Sequence, residues 1–130
     1  MAVVRTRQKP LQEGNRPDWC NVTSSGIFRV PAQGGRFDDH YHDCDEYWLV
    51  FRGKAKVRSE GTDYYVMPGD IVCTRAGDEH DVLEVYEDIE AFWFEDATPA
   101  GGRIGHLHRT PDKAQGHPVA AKSLPEDFPR

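Results

Sequence analysis

At 130 residues and 14.8 kDa the chain is the size of one domain, able to bury a core without disulfide staples. Its formal charge of −6 argues against a general nucleic-acid binder, which needs a basic face, and against docking on an anionic membrane. Hydrophobic residues at 38% and charged residues at 29% are ordinary for a soluble globular protein, and no apolar run nears the roughly 20 residues that a membrane-spanning helix needs.

Residues 1–18 read as an N-terminal arm, and MAVVRTRQKP lacks the apolar stretch of a secretory signal. Cys20, Cys44 and Cys73 are odd in number and widely spaced, which matches no disulfide framework. Free thiols in a cytoplasm are the expectation. Residues 19–97 carry a strand pattern that begins at Gly26-Ile27-Phe28-Arg29-Val30. Gly53, Gly61, Gly69 and Gly77 then recur every eight residues, with short runs rich in Val, Tyr, Phe and Thr between them. Short strands punctuated at that interval predict an all-β sandwich or barrel. Arg58–Asp63 predicts a hairpin turn, and Met67-Pro68-Gly69-Asp70 a tight turn. Two further strands are predicted over His80–Tyr86 and Ile89–Glu95. Composition shifts at Thr98: residues 98–130 hold five of the nine prolines and predict a Pro/Gly-rich C-terminal arm.

His40-Tyr41-His42 places two imidazoles one residue apart, and alternation along a strand points both the same way. Asp43-Cys44-Asp45 predicts a turn, after which Glu46 opens the next strand and faces back towards them. On that strand Trp48 and Val50 share the face of Glu46, while Tyr47, Leu49 and Phe51 share the other, so burial on both faces is expected. Imidazoles and a carboxylate converging inside an apolar wall suit one divalent transition metal, Mn, Fe, Co, Ni or Zn. His80, which opens a strand after a glycine turn, is placed to be a fourth ligand. A lone strand histidine is more often an ordinary hydrogen-bonded residue. The pair followed by glutamate, in a glycine-punctuated β pattern, shifts that balance towards metal.

These residues resemble the cupins, small β-barrels with two motifs. Gly34, five residues, His40-Tyr41-His42, three residues, Glu46, six residues and Gly53 match the first without departure. Gly69, five residues, Arg75-Ala76-Gly77, two residues, His80, three residues and Glu84 match the second except that Arg75 stands for Pro and Glu84 for Asn. The resemblance implies a single-domain double-stranded β-helix, or jelly roll, with extended terminal arms. It also implies that His40, His42, Glu46 and His80 bind one metal. Three histidines and one glutamate leave about two positions open on a six-coordinate ion, as a catalytic metal requires.

Alternation from His80 puts Val82, Glu84 and Tyr86 on one face, which makes Glu84 either a general acid or base or a partner that orients His80. Trp48 is read as a substrate-stacking surface or as core, and Arg36 as a substrate-carboxylate ligand or a solvated loop residue. Asp38, Asp39, Asp43 and Asp45 crowd the adjoining loops and disfavour a highly anionic substrate. Cys44 is expected as a free surface thiol. His106-Leu107-His108 and His117 are expected in a docked arm or plain loop, with a lid over the site as the lesser reading. The functions expected are isomerisation, epimerisation or lyase chemistry on a sugar or sugar acid with the metal as Lewis acid, an Fe(II)-dependent dioxygenase, or a non-catalytic module that senses or binds a small ligand or metal. A homodimer is expected through the apolar face of Tyr47, Leu49 and Phe51.

Overall fold

Apolar side chains that recur every second residue bury one face of a strand, and this spacing governs the chain's long central segments. In the computed structural model, residues 2–96 and 104–129 are described. Ten strands follow in order: β1 (Ser24–Val30), β2 (Arg36–Phe37), β3 (Tyr41–His42), β4 (Glu46–Ser59), β5 (Thr62–Val66), β6 (Ile71–Thr74), β7 (His80–Glu95), β8 (His106–Leu107), β9 (His117–Pro118) and β10 (Ala120–Ala121). The only helical turn among the described residues is the 3₁₀ turn at Lys113–Gln115. No described helix is long and apolar enough to cross a membrane. The all-β expectation holds.

Two strands are longer than expected. β4 runs 14 residues through Gly53, and β7 runs 16, merging the two strands predicted over His80–Glu95. They pair antiparallel along most of their length, so each supplies the other's hydrogen bonds and no turn interrupts them. Gly53 has φ 83°, and a Cβ there would stand 2.0 Å from the Asp88 carbonyl oxygen. Only glycine fits that close approach. The N-terminal half of β4 pairs with β6 and with the end of β7, which in turn pairs with β1. Its C-terminal half pairs with β5 and the start of β7, which pairs with β10. Side chains from both halves, among them Val30, Trp48, Val50, Val57, Val82 and Val85, make one core.

The β4–β5 connection is a two-residue turn with Glu60 at φ 53° and Gly61 at φ 80°, the handedness that suits a hairpin. Across it Arg58 donates to both carboxylate oxygens of Asp63, at 2.7 and 3.2 Å. Met67 and Asp70 close the second predicted turn by an Asp70 N to Met67 O bond of 3.1 Å.

On β4, Glu46, Trp48 and Val50 are buried, but Tyr47, Leu49 and Phe51 are only half-buried. The expected burial of both faces is therefore partial. Phe51 packs on Phe92, and the outer cavity beside them is walled by residues 3–8 of the N-terminal segment rather than by a second sheet. The C-terminal segment adds edge strands: β8 pairs with β3, β9 with β2, and β10 with β7. The composition boundary at Thr98 lies outside the described residues.

Candidate metal centre

β3, the start of β4 and the start of β7 bring His40, His42, Glu46 and His80 together, all four buried. One ligating atom from each falls within 4.8 Å of the others. An isolated bridge pairs the His40 and His80 backbones, and their rings meet edge to face with centroids 4.4 Å apart. His40 Nε2 lies 2.8 Å from His80 Nε2. Glu46 reaches both sides, with Oε1 3.3 Å from His80 Nε2 and Oε2 3.4 Å from His42 Nδ1. Ligands held at right angles roughly 2.1 Å from one ion stand roughly 3 Å apart, so these separations suit a shared cation.

Several contacts fix the donors. His40 Nδ1 lies 2.6 Å from the Asp38 carbonyl oxygen, an arrangement that aims Nε2 inwards. Trp48 Nε1 donates to Glu46 Oε1 at 2.8 Å, and the indole stacks on His80 with ring centroids 4.3 Å apart. Burial is the main influence on both imidazoles. It pushes His40 down to about 4 and His80 well below its ordinary value, so both stay neutral and have a lone pair to offer.

The cluster opens into a cavity of about 240 Å³ whose walls include Phe28, Phe37, Trp48 and Trp93. Two residues that the sequence did not assign also line it. Glu95, 1% exposed, sits directly across from Glu46 on the neighbouring strand, with Oε1 3.8 Å from His42 Nε2. Two buried imidazoles kept neutral beside the buried Glu46 carboxylate are a donor set that fits a divalent transition metal. His106 stacks on His40 at 3.7 Å, and its Nε2 contacts Asp38 Oδ2 at the cavity mouth.

Other expected site residues lie elsewhere. Lys56 pairs with Glu84 but the adjacent Val57 pairs with Val82, which leaves Leu83 as an extra residue in β7. Such a bulge swaps the faces beyond it. Val85 therefore points into the core, while Glu84 accepts from Tyr86 Oη at 2.5 Å and Lys122 Nζ at 2.6 Å, away from the cavity. Arg36 is exposed and donates to the Gln115 carbonyl at 3.3 Å. Trp48 does line the cavity, and it also holds Glu46. Cys44 is not a surface thiol: it is 4% exposed, with Sγ donating to Glu95 Oε1 at 3.4 Å. Its turn folds against the end of β7, where Asp96 N donates to Asp45 O. The loop aspartates are also engaged: Asp43 and Asp45 accept from backbone amides and Asp39 pairs with Lys113. Their charges give little ground for rejecting an anionic substrate.

A family model described as "Cupin domain" matches residues 26–95. The chain belongs to the cupin family. An uncharacterized protein, y4oW, from Sinorhizobium fredii is 41% identical over 103 residues, or 72% of this cupin and 48% of that protein. This cupin thus spans about half the length of that relative. Among solved structures, a cupin-2 domain protein of Rhodospirillum rubrum aligns with a TM-score of 0.61 at 16% identity, over 82% of this chain and 66% of that one. The DMSP lyase DddQ of Ruegeria pomeroyi aligns at 0.59 and 20% identity, over 73% and 48%. A salicylate 1,2-dioxygenase of Pseudaminobacter salicylatoxidans aligns at 0.55 and 17%, over 67% and 25%. At these identities the structural likenesses speak for the fold alone.

The indole N–H bond gives a direct test of how Glu46 is oriented. Trp48→Phe is expected to weaken metal binding by roughly 10–100-fold while the fold stays intact. Chelator competition on the two proteins measures it, and unchanged affinity would show that Glu46 needs no such support.

Proposed function

We propose that this cupin is a metalloenzyme for a small polar substrate, performing isomerase, epimerase or lyase chemistry in which a proton moves next to a carbonyl or carboxylate. The carrying observation is the buried cluster of three histidines and one glutamate that opens onto a closely walled cavity. His40, His42, Glu46 and His80 would hold one divalent transition metal, which as a Lewis acid supplies polarisation of a substrate oxygen. Glu95 rather than Glu84 is then the carboxylate that receives and returns a proton, because it lines the cavity and is not among the four ligands. Phe28, Phe37 and Trp93 exclude water and set the substrate's plane against the cluster. A sugar or sugar acid is the substrate class.

The aromatic walls favour one second reading, a dioxygenase that uses Fe(II) in the same four-residue site on an aromatic or hydroxy acid. Oxygen uptake separates the two. Under the first reading, metal-loaded protein turns over a keto or sugar acid without consuming oxygen, and Glu95→Gln lowers kcat by roughly 100-fold or more with metal retained. Substrate-dependent oxygen consumption would replace the first reading with the second. Metal binding with no turnover of either substrate class would instead favour a sensing or binding module. The half-buried face of Tyr47, Leu49 and Phe51 supports a homodimer, and light scattering at the mass of one chain would remove it.

A further inference from the structure

We propose that Asp38, His106 and His108 form a second divalent-cation site at the cavity mouth, distinct from the inner centre. His106 and His108 are two residues apart on the β8 segment, and both turn Nε2 onto the same oxygen of Asp38, that of His108 at 2.6 Å. Two imidazoles and one carboxylate are the donor set of an open zinc-type site, with a position left for solvent. His40 is not needed: its Nε2 faces His80 and its Nδ1 faces the Asp38 carbonyl. His40 borders both centres: its Nε2 lies 2.8 Å from His80 Nε2, and its Nδ1 lies 3.5 Å from Asp38 Oδ2.

The segment that carries these imidazoles is braced on both sides. The Asp43 carboxylate accepts from the backbone N–H groups of Ile104 at 2.5 Å and Gly105 at 3.4 Å. Beyond His108, the Arg109 guanidinium lies 4.3 Å over the Tyr41 ring and donates to the Gly77 carbonyl. β8 is paired with β3, His106 opposite His42, so the outer histidines are registered to the strand of the inner ones. The rings are positioned before any ion arrives, which lowers the ordering cost of binding. An outer depression lined by Asp38, His106 and His108 gives access; Arg36 also lines it, with its guanidinium donating to the Gln115 carbonyl at 3.3 Å. Because both Nε2 atoms already reach Asp38 Oδ2, the two rings and the carboxylate converge on one point at the mouth.

Zinc titration of metal-stripped, untagged full-length protein against a competing chelator tests the site. Wild type is expected to bind two equivalents. His106→Ala, His108→Ala and the near-isosteric Asp38→Asn should each bind one, and His80→Ala should keep the outer one. Thermal melts confirm that each variant is folded. Cobalt absorption provides a second readout, with one of two ligand-field components lost in His106→Ala. A single equivalent in wild type that survives His106→Ala overturns the outer site, as do two equivalents that survive in all three outer variants. Loss of both ions in His106→Ala overturns its independence. A single equivalent that His80→Ala keeps and His106→Ala loses would uphold the outer site and refute the inner one.

Discussion

His80→Ala is expected to abolish stoichiometric metal at the inner centre, and with it at least about 100-fold of any metal-dependent turnover, more than the loss of a merely supporting contact costs. His80 is the hub of the cluster: its Nε2 faces both His40 Nε2 and Glu46 Oε1, and it is 1% exposed. Removing it leaves His40 and His42 on β3 and Glu46 on β4, with nothing to close the set from β7. The fold should survive, because β7 keeps its pairing with β4 and the core valines remain. Elemental analysis of untagged wild type and variant, purified without added metal and compared by circular dichroism, is the measurement. Iron in the wild type would direct attention to oxygen uptake, and Mn, Ni or Zn to isomerisation or elimination on sugar acids. Equal metal in both proteins would sink the four-ligand assignment.

What was legible in the sequence was local. His40, His42 and Glu46 are separated by one strand alternation and one short turn, and the rules for both are strict. His80 was legible because a glycine turn places it at a strand start. Reasoning by parity failed wherever the strand was irregular. The bulge at Leu83 exchanged the faces of Glu84 and Val85, and nothing in Val82-Leu83-Glu84-Val85 announces an extra residue. Beyond that bulge, parity counted from His80 no longer tells which face of Ile89–Glu95 is inward, so it does not find Glu95. Cys44 looked solvent-facing because its neighbours are aspartates, yet those aspartates bind backbone amides and leave the thiol inside. His106 was the least legible: its partner Asp38 is 68 residues away, and no periodicity encodes a contact of that range.

The metal-free protein is expected to lose stability steeply between about pH 6.5 and pH 4. The folded state holds His40 near 4, mainly through burial, against an ordinary value of 6.5, and it lowers His80 in the same direction. In that window the unfolded chain binds protons that the folded chain refuses, so stability rises with pH and falls as acid is added. His40 alone accounts for roughly 3 kcal/mol across the window, and His80 adds to it. Asp38 does not offset this loss, because its depressed carboxyl contributes stability that disappears only below the ordinary carboxylate range. A bound metal competes with protons for the same lone pairs, so loading the centre should move the acid transition to lower pH. Urea melts at stepped pH on stripped and loaded protein separate these effects. A flat stability profile from pH 6.5 to 4 in the stripped protein would mean that the imidazoles take up protons inside the fold. The neutral, pre-set donor cluster on which the metal assignment depends would then not exist.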